Sequence, residues 1–85
     1  MDIEIFIDCS EGGPAEQTLV IQKFMAWYTD GAEVRCNKMP FSSLTPLPKP
    51  NHYLVDLGYA DVLTSLRTLH ARIRQYGARV YFSFV

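Results

Sequence analysis

The sequence predicts an α+β fold in which two helices cover one face of a four-stranded sheet. Two stretches repeat one strand, helix, strand order: Ile3–Cys9 leads through Pro14–Asp30 into Glu33–Met39, and His52–Leu57 leads through Asp61–Tyr76 into Arg79–Val85. Each strand alternates apolar and polar residues, as a sheet buried on one side does; a parallel sheet covered on both sides reads as continuous apolar runs. Eighty-five residues suffice for one modest core and not for two, so residues 1–85 are expected to form a single domain.

In strand one, Ile3, Ile5 and Ile7 share one face and Glu4, Phe6 and Asp8 the other. Helix one begins at Pro14, a residue suited to the first helical position because its missing N–H has no intrahelical partner there. Its apolar set, Leu19, Val20, Ile21, Phe24, Met25, Trp27 and Tyr28, is wider than one stripe, so part of it is expected under a loop or against another protein. Strand two sets Val34 and Cys36 against Glu33, Arg35 and Asn37.

Residues 40–51 read as a long Pro-rich loop. Pro46, Pro48 and Pro50 alternate with Leu47 and Lys49, which favours extended backbone, and Phe41, Leu44 and Leu47 give the segment apolar handles. These handles either pack back on helix one or present themselves to a partner groove. Strand three sets Tyr53, Val55 and Leu57 against His52, Leu54 and Asp56. Helix two carries Val62, Leu66, Leu69, Ile73 and Tyr76 as its stripe, flanked by Leu63 and a half-buried His70, with Arg67, Arg72 and Arg74 in solvent and Gly77 as the stop. Strand four opposes Val80, Phe82 and Phe84 to Arg79, Tyr81 and Ser83.

Two helices on one side of a βαββαβ sheet form the ferredoxin-like sandwich. Right-handed crossovers then place strands one and three at the centre, paired antiparallel. A small parallel α/β sheet is the alternative.

The composition is that of a folded protein, with 48% hydrophobic, 13% aromatic and 20% charged residues. A formal charge of -1 argues against a nucleic-acid binder. No segment is long and apolar enough to span a membrane, and Met1-Asp2 leads straight into a strand, so the expected address is the cytoplasm. The two cysteines, Cys9 and Cys36, are expected as reduced thiols. Together with His52 and His70 they match no compact zinc spacing, and no metal or cofactor is assigned.

Chemistry-bearing residues gather in Asp8-Cys9-Ser10-Glu11-Gly12-Gly13-Pro14. A strand leading through paired glycines into a helix N-terminus can cradle an anion. No phosphate-binding lysine follows, and Ala15 stands where a low-molecular-weight phosphatase loop carries arginine. A tight turn with Ser10 capping the helix is the plainer expectation. Over this turn alone, Cys9 resembles the phosphocysteine component of sugar phosphotransferase systems, which implies a phosphoryl-accepting thiol. Asp8 and Glu11 depart from that family's aliphatic residue before the cysteine and its hydroxyl-rich loop after it; both carboxylates raise a thiol pKa and repel a phosphoryl group. Asp8 and Asp56 each close a run of three apolar residues and would share Mg²⁺ only if their strands were parallel.

No catalytic residue emerges. On the uncovered sheet face, Phe6, Leu54 and Tyr81 stand among Glu4, Asp8, Arg35, Asp56 and Arg79. Apolar and aromatic residues ringed by mixed charge suit protein docking. The expectation is a small stand-alone protein-binding module, such as an inhibitor, immunity or accessory factor. Its binding residues are Phe6, Tyr81, Leu54 and Arg35 on the face and Phe41, Leu44 and Leu47 in the loop, with a protein partner or a second copy of the chain. The alternative is a small phosphate- or metal-dependent enzyme using Asp8, Cys9, Ser10, Gly12, Gly13 and Asp56.

Overall fold

In the computed structural model, which describes residues 2–30, 43–57 and 61–84, the elements follow in the order β1 (Asp2–Asp8), α1 (Pro14–Asp30), β2 (Ser43–Pro46), β3 (His52–Asp56), α2 (Val62–Gln75) and β4 (Arg79–Phe84). The four strands form one open sheet in the order β2-β3-β1-β4. Each neighbouring pair is antiparallel, which excludes the parallel alternative for these strands. β1 and β3 occupy the centre, as the crossover argument requires.

Ile3, Ile5 and Ile7 are fully buried and meet Val20 and Phe24 of α1 and Leu69 and Ile73 of α2 in one core, so both helices cover the same side of the sheet. β3 adds Val55 and Tyr53, and β4 adds Val80. The broad apolar band of α1 is largely absorbed: Ile21, Met25 and Trp27 pack against the core edge, and Leu19 is left exposed. Trp27 lies under the Arg72 guanidinium of α2 at 5.2 Å, so a residue expected in solvent instead bridges the two helices by a cation–π contact.

α2 is rotated slightly from its expected stripe. Its fully buried positions are Ser65, Leu69 and Ile73, spaced four apart along one line, and Val62, Leu66 and Tyr76 flank that line. His70, expected at the edge of the stripe, is exposed. The helix is closed at both ends by side-chain and backbone bonds. Thr64 N–H donates to the Asp61 carboxylate at 3.2 Å; at the far end Gly77 N–H donates to Arg74 C=O and Ala78 N–H to Ile73 C=O, with Gly77 at φ +88°. That pair of bonds is the Schellman arrangement, which satisfies carbonyls the helix leaves open.

The Pro-rich segment differs most from expectation. The predicted strand Glu33–Met39, with Arg35 and Cys36, lies outside the described residues, as does Phe41. Within the expected loop 40–51, Ser43–Pro46 forms β2 and pairs with β3. The two strands are joined by a tight turn. His52 N–H donates to Lys49 C=O at 3.2 Å, and Asn51 takes φ +61°. Proline fixes a negative φ at Pro50, so this is a type II turn, with asparagine tolerated at the left-handed position. Leu44, expected as a handle for a partner, sits opposite Val55 on the helix side and packs against the core.

Candidate binding face

The side of the sheet away from the helices carries Asp2, Glu4, Phe6 and Asp8 from β1, His52, Leu54 and Asp56 from β3, and Arg79, Tyr81 and Ser83 from β4. Strand register aligns three of these rings. Phe6 is the cross-strand partner of both His52 and Tyr81. The rings stack at 4.6 Å and 16° for Phe6 and His52, and at 6.1 Å and 20° for Phe6 and Tyr81.

The backbone explains the unequal spacing. Ile7 N–H donates to Asn51 C=O, so Ile3, Ile5 and Ile7 direct their backbone groups at β3, and Phe6 directs its own at β4. Phe6 and His52 are therefore a non-hydrogen-bonded pair, whose side chains stand closer, while Phe6 and Tyr81 are a hydrogen-bonded pair. The β2–β3 turn fixes His52 further: its Nδ1 lies 2.8 Å from Pro50 C=O. A carbonyl only accepts, so Nδ1 is the donor of this bond.

The row floors a shallow groove of about 500 Å³ walled by Leu47, Pro48 and Lys49, with Glu4 and Ser83 towards one end. Tyr81 is 50% exposed. Of the residues expected to bind, Phe6, Tyr81 and Leu47 line this groove. Leu54 shares the face opposite Glu4 and Thr45, while Leu44 is turned to the core. Sequence reasoning missed His52. Strand alternation already placed it on this face, but only the register shows that it stacks on Phe6.

The turn after β1 has a different character. The Asp8 carboxylate accepts from Ser10 N–H at 2.9 Å, and the Ser10 hydroxyl, this N–H and the Arg79 charge hold its pKa below the ordinary value. Ser10 does not cap α1; Gly13 occupies that position, its C=O accepting from Gln17 N–H. Glu16 folds over the glycines: a Cβ built at Gly12 would stand 2.8 Å from Glu16 Cβ, and one at Gly13 would stand 2.9 Å from its carboxylate. The chain's own carboxylate thus stands beside the helix end where an anion was envisaged.

Glu11 turns to the sheet edge and pairs with Arg79 at 2.7 Å and, more loosely, with Arg74 at 3.7 Å. Arg79 is held in its charged form by Tyr81 and then by Glu11. Cys9 is buried, and burial followed by the Asp8 charge pushes its thiol pKa up. Asp56 pairs with Asp2, six residues from Asp8 along β1, or about 20 Å at the rise of a strand. Asp8 and Asp56 are therefore not brought together. Among the described residues no cluster of three or more His, Cys, Asp or Glu side chains could hold a metal ion, and no helix is long and apolar enough to cross a membrane. No protein-family model, curated protein or solved structure matches the chain.

Proposed function

We propose that this protein is a small binding module that docks a partner protein on its open sheet face. The stacked row His52–Phe6–Tyr81 carries this reading, because three aligned rings held by strand register offer a rigid apolar anchor with little side-chain entropy left to lose. Lys49 and Glu4 at the rim supply polar contacts of either sign. Asp2, Glu4, Asp8 and Asp56 on the same face oppose a phosphodiester backbone, which favours a protein over a nucleic acid. The element order and the strand order support a ferredoxin-like plan for the module. The buried Cys9 and the Glu16 side chain over the glycines weigh against chemistry at the turn after β1.

The test is capture of partners from the native cell extract with tagged protein. Phe6→Ala and Tyr81→Ala should remove a captured protein that Leu63→Ala, altered at an exposed position of α2, retains. If Asp8→Asn and Cys9→Ser abolish the biological activity while the two ring variants keep it, the site is the turn and the reading is wrong.

A further inference from the structure

The two edges of the sheet are built differently. Leu47 N–H donates to His52 C=O, so Ser43, Thr45 and Leu47 direct their backbone groups at β3, and Leu44 and Pro46 face outward on β2. Pro46 has no N–H to offer, and β2 is only four residues long; a short strand with an outward proline is a blunted edge. β4 carries no such protection. Tyr81, Ser83 and Arg79 bond to β1, leaving Val80, Phe82 and Phe84 with backbone groups outward. Among the described residues nothing pairs with them. They are β-branched or aromatic, the strand contains neither lysine nor proline, and Phe84 is 64% exposed.

We infer that β4 is a self-association edge, on which the β4 of a second copy adds antiparallel across a two-fold axis to continue the sheet. Centring the axis on Phe82 pairs Phe82 with its own copy and Val80 with Phe84 of the second copy, each pair exchanging two hydrogen bonds. These are aromatic–aromatic and aromatic–β-branched pairs, the favourable kinds across strands. On the other face Tyr81 meets Ser83 of the second copy.

Antiparallel addition also keeps the two Arg79 side chains apart: each, held by Glu11 of its own chain, comes towards the end of its mate's β4 that adjoins Asp2 and Glu4 of β1. The inference does not rest on the binding proposed for the open face, although the two share Tyr81 and Ser83.

Sedimentation equilibrium and amide hydrogen exchange on the intact protein test it together. The mass should shift with concentration from 9.7 kDa towards twice that value, with exchange at Val80, Phe82 and Phe84 slowing in parallel. Phe84→Lys, at an exposed position, should restore the monomer, whereas Phe6→Ala should leave the dimer intact. A protein that stays monomeric overturns the inference. So does a dimer whose three edge amides exchange as fast as in the monomer, or one that Phe84→Lys leaves unchanged.

Discussion

Cys9 and Asp8 are sequence neighbours whose ionisations are moved in opposite directions by their surroundings. Cys9 continues the buried line of Ile3, Ile5 and Ile7, so its thiolate would have to form away from water and beside a carboxylate. In a Cys36→Ser background, Cys9 in the folded protein should alkylate slowly and titrate above the ordinary thiol range, and denaturant should abolish both effects. Its raised folded pKa contributes stability below the unfolded value that is lost as pH rises towards the folded one. Asp8 has the reverse sign. Its lowered pKa gives stability that is present above the ordinary carboxylate value and lost as pH falls through the folded value, so Asp8→Asn should flatten the acid limb of a denaturation curve. The sequence suggested the direction for Cys9 from Asp8 and Glu11. Only the fold shows that burial leads and that Glu11 is engaged elsewhere, because the partners of Glu11 are Arg74 and Arg79, more than sixty residues on in sequence.

β1, β3, β4 and the two helices were more legible than β2 and the residues that join them. Period-two alternation in residues 3–8 and 79–84 identifies the buried face of β1 and β4 directly, and Asp61 and Gly77 mark the ends of α2. The prolines of 46–50 misled because their alternation with Leu47 and Lys49 suggested one extended loop, where the chain forms an edge strand and then a tight turn. Pro46 stands outward on an edge strand and Pro50 sets the first corner of a turn, so each is there for the φ it fixes or the N–H it lacks. The line of burial on α2 also escaped the sequence, since Ser65 is buried in line with Leu69 and Ile73 although its hydropathy does not mark it. Leu69→Ala, at a fully buried position, should therefore cost about 2–5 kcal/mol, and Leu66→Ala on the flank should cost less, as urea denaturation of the two variants will show. Gly77→Ala has open space for its methyl group, so its cost should be the left-handed backbone alone, about 1–2 kcal/mol by the same measurement.

At the scale of the whole molecule, the sheet separates two sets of aromatic rings. On one side Phe24 is fully buried, 5.8 Å from Tyr53 and 6.0 Å from Trp27; on the other Phe6 lies between His52 and Tyr81 beside an open groove. Neighbouring residues Tyr53 and His52 thus serve opposite layers, a direct consequence of strand alternation. The core rings share no ring contact with the row on the open face, so their energetic effects should separate. Phe24→Ala should cost about 3–5 kcal/mol of stability as a cavity in the core. Phe6→Ala and His52→Ala should show a mutual coupling of about 0.5–1.5 kcal/mol, because their rings stack. Phe6→Ala combined with Phe24→Ala should instead be additive to within about 0.5 kcal/mol, since the two rings stand on opposite sides of the sheet. Chemical denaturation of the single and double variants measures both cycles. A large coupling across the sheet would mean that the open face is part of the structural core, and its rings would then be retained for stability instead of recognition.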